Sequence, residues 1–249
     1  MPALASELVA LKPDVIVCTG APAALAAKKA TALIPIVATG LADPVKSGLA
    51  ASLARPGGNL TGFSIVSIDL AGKWLQFLRE IAPRTKSIAV LTHTDNSSAM
   101  NVFREVQERA RPLGIAVQVL DGRSRENVER AFSTMARERI DAFIVTGTAV
   151  VLEQRQQIVE AAARQRLPAI YARREYVDAG GLISYGTDLG PLYARAADYV
   201  HRILQGTKPS ELPIEQPMTI RLVVNQRTAT ALGVKLPRTI LVGADEVIE

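Results

Sequence analysis

Two short stretches carry the residue types best suited to chemistry, and they follow one pattern. Asp14-Val15-Ile16-Val17-Cys18-Thr19-Gly20 is an apolar run that ends in Thr-Gly and opens into small, helix-favouring residues. Asp141-Ala142-Phe143-Ile144-Val145-Thr146-Gly147 repeats it, with Asp, Thr and Gly at the same mutual spacing. A helix N-terminus supplies unpaired N–H groups and the positive end of the helix dipole, so a strand end entering a helix suits a carboxylate. Thr19, Gly20 and Ala21 are candidates for that role, and Thr146, Gly147 and Thr148 mirror them. The alternative for Thr19 is that it only caps its own helix. Cys18 is the right kind of group for proton abstraction by a two-lobed racemase-like enzyme. Such chemistry uses one thiol from each lobe, and Val145 stands where the second would be.

A run buried on both faces, bounded by Gly and followed by a helix, is the sequence form of a parallel strand entering a βα turn. In open parallel sheets, ligands bind beyond the carboxyl ends of the strands. Each copy is followed by a Pro-bearing apolar run, Ile34-Pro35-Ile36-Val37-Ala38 and Leu167-Pro168-Ala169-Ile170-Tyr171. Two related sheets with similar rims predict two lobes that close on one ligand. Further candidates then fall at strand ends. Thr39 ends the second strand; Asn96 and Ser97 either cap the helix over 97–112 or also close over the ligand. Tyr171 either stacks on a ligand side chain or packs on the helix over 149–165. Glu175 and Asp188 are the acidic candidates for a ligand ammonium, with helix capping as the competitor for Asp188. Asp43, before Pro44, reads as a turn starter. Trp74 sits on an apolar helix face and reads as core, and His93 and His201 read as structural, with no metal site or catalytic triad.

The elements that must position these residues alternate. The pattern predicts helix 3–11, strand 14–18, helix 21–31, strand 35–39 and a short helix near 47–54. Strand 60–64 follows, then a helix capped by Asp69 that ends near Ala82-Pro83. Next come strand 87–91, helix 97–112, strand 115–120, helix 124–138, strand 142–146, helix 149–165 and strand 168–171. A turn and short strand over 178–186 lead to helix 188–205 with Gly206 at its C′ position. Strand 219–224, helix 226–232 and a last segment over 241–248 close the chain. The class is α/β, with two doubly wound parallel-sheet lobes joined by a multi-crossing hinge. Crossings are expected near Ser64–Ile68 and Ser184–Asp188, with a third near Pro213–Met218. The N-terminal lobe covers 1–65 with a contribution from about 188–215, the C-terminal lobe 66–187, and 188–249 forms the crossing helix and C-terminal segment.

Composition bounds the function. In 249 residues, 48% are hydrophobic, enough for real cores. The net charge of +5 raises the question of nucleic acid, but Arg104, Arg109, Arg155 and Arg164 alternate with Glu105, Glu108, Glu153 and Glu160 on solvated helix faces. Aromatics at 4% are too few for a base-stacking platform. Cys18 is the only cysteine, so no intramolecular disulfide forms, and no apolar run reaches membrane-spanning length. No cofactor motif is present.

Longer motifs point to a family. Leu11-Lys12-Pro13-Asp14-Val15-Ile16-Val17, Asp43-Pro44-Val45, Ser52-Leu53-Ala54-Arg55-Pro56-Gly57-Gly58-Asn59-Leu60-Thr61-Gly62, Ala179-Gly180-Gly181-Leu182-Ile183-Ser184-Tyr185-Gly186 and the closing Ala244-Asp245-Glu246-Val247-Ile248-Glu249 resemble the ABC-transporter substrate-binding proteins of the tryptophan/tyrosine type. The resemblance runs over essentially the whole chain. It implies a type I periplasmic-binding fold, an amino acid held between the lobes, with an aromatic one as the narrower reading, delivery to a membrane permease, and a periplasmic location. Members carry an export signal and a first βα unit before the helix with which this chain begins. The expectation is therefore an N-terminal lobe lacking its first βα elements, with an uncovered edge that drives self-association into a homodimer. The competing classes are the racemase-like enzyme using Cys18 and the ligand-sensing domain of a regulator, which needs a DNA-binding segment.

Overall fold

The computed structural model describes residues 1–41, 43–65, 70–216 and 219–249. In chain order the elements are α1 (Pro2–Ala10), β1 (Ile16–Thr19), α2 (Ala21–Ala30), β2 (Ile36–Leu41), β3 (Leu60–Ser64), α3 (Ala71–Ile81), β4 (Ser87–Thr92) and α4 (Ser97–Ala110). They continue with β5 (Ala116–Asp121), α5 (Arg125–Arg137), β6 (Ala142–Val145), α6 (Ala149–Leu152), α7 (Arg155–Gln165), β7 (Ala169–Tyr171) and α8 (Glu175–Asp178). The last are β8 (Ile183–Thr187), α9 (Gly190–Leu204), β9 (Ile220–Asn225), α10 (Gln226–Leu232), α11 (Arg238–Gly243) and β10 (Glu246–Ile248). They divide into two compact units, Met1–Val66 with Asp188–Thr219, and Ser67–Thr187 with Ile220–Glu249. The chain therefore passes between the units three times.

The smaller unit is built on a parallel sheet of order β1-β2-β3. Alanines at one face of α2 (Ala21, Ala24, Ala27) let it sit close on that sheet with Ile16, Ile36, Leu41 and Leu60. On the other face, α9 buries Leu192, Ala196, Tyr199 and Ile203 against Val37 and Phe63. The segment before the third passage runs beside β3: Ser64 N–H donates to Glu215 O at 2.8 Å and Glu215 N–H to Gly62 O at 3.0 Å. Glu215 also accepts from Arg195 Nε at 2.8 Å and Tyr199 Oη at 2.9 Å, tying that segment to α9. Helix α1 buries none of its residues, and Leu4, Leu8, Leu11 and Val17 are exposed.

Gly62 explains part of the long Arg-Pro-Gly-Gly-Asn-Leu-Thr-Gly motif. Its φ is +141°, and a Cβ there would lie 1.9 Å from Ala38 O. Only glycine lets β3 approach β2 this closely. Gly186, in the second motif, is held by the same kind of constraint, since a Cβ would fall 2.0 Å from Ala172 O.

The larger unit holds a seven-stranded sheet of order β10-β9-β8-β7-β6-β4-β5. Its pairs are parallel except β8 with β9. On one face α3 buries Trp74, Leu75, Phe77, Leu78 and Ile81. Trp74 is fully buried and its Nε1–H donates to Tyr185 O at 2.7 Å, so it is core. On the other face α5 and α7 cover Phe143, Val145 and Tyr171.

Three expectations need correction. No helix forms over 47–54: Gly48 has φ +71°, and the Leu49 and Ala50 N–H groups both turn back to Pro44 O. The helix over 149–165 is broken into α6 and α7 at Glu153-Gln154, where Gln154 N–H reaches back only to Val151 O. The third lies in helix 3–11 and strand 14–18, which form as Pro2–Ala10 and the shorter Ile16–Thr19, while the untyped last segment resolves into the end of α11 and β10. The expected cap at Asp69 lies outside the described residues, as do parts of the crossings placed at Ser64–Ile68 and Pro213–Met218.

Candidate functional site

In the larger sheet, β5 lies on one side of β4 and β6 on the other, so the direction of sheet growth reverses between β4 and β6. That reversal is where open α/β sheets leave a crevice at their carboxyl edge. Thr92, ending β4, and Thr146, just after β6, meet there with their hydroxyls 2.6 Å apart and buried. The smaller unit repeats the arrangement in the register Thr19↔Thr39, with the two hydroxyls 3.0 Å apart.

Several candidates are already committed. The Thr19 hydroxyl does not cap α2; the cap position is Gly20, which has φ +84° and donates its N–H to Thr39 O at 2.8 Å. Ala21 is buried in the first turn, and Thr39 is buried at 1% exposure. Asn96 caps α4, its Oδ1 accepting from Ser98 and Ala99 N–H, while Ser97 is exposed at the first turn. Asp43 accepts from Lys46 N–H at 3.1 Å in its turn. Asp188 belongs to the smaller unit and accepts from Gly190 N–H at 3.0 Å. Tyr171 takes the packing alternative. Its ring is 1% exposed, stacked on Tyr176 at 4.8 Å and edge-on to Phe143 at 6.1 Å, so it is spent on the core rather than offered to a ligand.

The segments after β6 and β7 hold two polar groups that no described neighbour takes up. Thr148 Oγ1 and Tyr176 Oη are buried without a hydrogen-bond partner among the described residues. A buried hydroxyl left unpaired costs about 1–3 kcal/mol, so such groups mark places where another polar partner is accommodated. Beside them lies Arg173, which the sequence reading missed. Its side chain is only 12% exposed, and its stem passes over Gly147, where a Cβ would touch Arg173 Cγ at 3.4 Å. Arg173 donates through Nε to Glu175 Oε2 at 3.2 Å and through Nη2 to Oε1. Burial pushes the Glu175 carboxyl up, but the Arg173 hydrogen bond and charge, its own N–H and Arg155 outweigh this and hold it below the usual range.

A second polar cluster ends β5. Asp121 accepts from Arg123 Nε at 2.8 Å and Asn127 Nδ2 at 2.8 Å, and Arg123 also pairs with Asp95. Burial and Arg123 both lower the pKa of the neighbouring His93, against Asp121 and Asp95, which raise it. Cys18 is half-buried, and burial pushes its thiol up to about 11. Among the described residues no group of three or more His, Cys, Asp or Glu stands together as a metal site, and no helix is long and apolar enough to cross a membrane.

Parallel-dominated sheets carrying polar rims at their carboxyl edges define an α/β fold of the type I periplasmic-binding class. The chain belongs to the ABC transporter substrate binding protein family, whose model matches residues 2–248. It is 28% identical over 233 residues to a protein of Clostridioides difficile (strain R20291) named tyrosine-binding protein, covering 93% of this chain and 66% of that one. The chain thus spans about two thirds of the length of that curated relative. Among solved structures, a conserved domain protein from Vibrio cholerae matches with TM-score 0.90 and 30% identity, over 99% of this chain and 84% of its own. An ABC domain from Streptococcus pneumoniae in complex with L-Trp matches with TM-score 0.89 and 25% identity, over 99% and 83%.

Proposed function

We propose that this chain is the solute receptor of an ABC importer, that it binds a free amino acid, and that it hands the ligand to a membrane permease outside the cytoplasm without altering it. The observation that carries the reading is the polar carboxyl edge of the larger unit. A buried threonine pair lies at the sheet's reversal point, and the segments after β6 and β7 add two buried hydroxyls without partners among the described residues and a packed arginine–glutamate pair. Such a rim offers donors and an acceptor to a small zwitterion. The tyrosine-binding and L-Trp-bound relatives support an aromatic side chain on that ligand.

The racemase-like alternative has less support. Its thiol would need a partner, and Val145 is buried at the matching position. The burial that raises Cys18 to about 11 also works against a thiolate near neutral pH.

Native mass spectrometry of the purified protein tests the receptor reading. An amino-acid mass released on unfolding is the expected result. A retained ligand of another class, such as a sugar, would replace it.

A further inference from the structure

Arg173 and Glu175 are two residues apart at the start of α8, and their geometry exceeds what a solvated loop needs. We propose that this pair reads the charged backbone of a free amino acid, Arg173 receiving the α-carboxylate and Glu175 the α-ammonium. The inference rests on the receptor reading above and names the groups that would give it specificity.

The guanidinium is positioned by packing. Its stem lies against Gly147, where a Cβ would meet Arg173 Cγ at 3.4 Å and Cδ at 3.5 Å, and its side chain is 12% exposed. Little side-chain freedom remains to be lost when a ligand arrives, which favours affinity. Its planar fork already donates to a carboxylate through two nitrogens, Nε and Nη2, as its bonds to Glu175 show. A ligand carboxylate presents the same two oxygens at the same spacing.

Glu175 is suited to the other role. It is ionised, only partly buried, and near Arg155 as well as Arg173. A ligand carboxylate that takes the place of Glu175 on the packed fork frees carboxylate oxygens, which can accept from the ammonium that an α-amino acid carries beside its carboxylate. The Tyr176 hydroxyl, next in sequence, and the Thr148 hydroxyl, next to Gly147, are buried without partners among the described residues. An ammonium can donate to such oxygens and a carboxylate can accept from them, so a zwitterion at this place would satisfy groups that the protein does not.

A pair that only staples its own loop would have no such ligand dependence, so the test separates the two. Calorimetry is run with L-tryptophan and L-tyrosine, and by competition at millimolar concentration with tryptamine, which lacks the carboxylate, and indole-3-propionate, which lacks the ammonium. Arg173→Gln should weaken the amino acid about tenfold or more and leave tryptamine within about twofold of the parent. Glu175→Gln should weaken the amino acid similarly and leave indole-3-propionate unchanged. Arg173→Lys, which keeps the charge but not the fork, should fall between Arg173→Gln and the parent. If the folded variants weaken all probes alike, or none, the pair is structural and the inference is overturned while the receptor reading stands. If the parent binds none of the standard L-amino acids, both are overturned.

Discussion

Thr92 Oγ1 and Thr146 Oγ1 sit 2.6 Å apart where the larger sheet reverses direction, and Thr19 and Thr39 repeat the pairing in the smaller unit at 3.0 Å. The repeated Asp-to-Gly stretch in the sequence thus encodes a repeated join between neighbouring strand ends. In each unit the hydroxyls tie two neighbouring strands together toward their carboxyl ends.

Removing one hydroxyl of the buried pair leaves the other without a partner. Thr92→Val and Thr146→Val should each destabilise by about 1–3 kcal/mol, while the double substitution should cost little more than either single change. Urea denaturation of the four proteins in that cycle checks it. Additive losses would show that the hydroxyls do not depend on each other.

Gly62→Ala should destabilise by at least about 3 kcal/mol, because it combines a positive φ with a backbone clash on Ala38. Gly48→Ala has the positive φ but no atom within 4 Å, and should cost about 1 kcal/mol. Comparing the two thermal unfolding midpoints separates strain from clash.

Asp141 opens the second repeat, and its Oδ2 accepts from Lys86 N–H, Ser87 N–H and the Ser87 hydroxyl at 2.8, 2.9 and 3.1 Å. Burial pushes its carboxyl up, but these hydrogen bonds and the Lys86 charge outweigh it and hold the folded group below the usual range. The unfolded chain, with an aspartate near about 3.9, then takes up its proton first as the pH falls. The stabilisation is complete above that value and is lost as the pH drops through the lower folded one. Asp141→Asn should therefore trail the parent most at neutral pH, with the gap closing below about pH 4. Urea midpoints between pH 3 and pH 7 measure it.

Cys18 should react slowly with a disulfide reagent in the folded protein at pH 8, because burial raises its thiol to about 11 and leaves little thiolate. Cys18→Ala should bind ligand as the parent does. Fast labelling, or lost binding with an intact fold, would revive a chemical role for this residue.

Much of the fold was legible because burial on both faces writes parallel strands as apolar runs: β4 falls at Ser87–Thr92 and β6 at Ala142–Val145, each within one residue of the expected bounds. At Tyr171 the pattern left two readings open, because a polar tip at a strand end suits a rim as well as a core; α7 and Tyr176 cover it. The turn over 44–50 was missed because its apolar Leu49 and Ala50 mimic a helix face, and only the Pro44 and Gly48 backbone decides against one. Arg173 escaped notice because in sequence it looks like the solvated arginines elsewhere. Its signal is the missing side chain at Gly147, which leaves room for its stem and becomes visible only when β6 and β7 are seen side by side.

The most direct test of the receptor reading is calorimetric titration of the protein with the standard L-amino acids, followed by chiral chromatography of the recovered ligand. The expected result is saturable binding of at least one of them, an aromatic amino acid among those bound, with the ligand recovered unchanged and still in the L form. A flat titration across the whole panel with folded protein, or a ligand recovered racemised or cleaved, would contradict it.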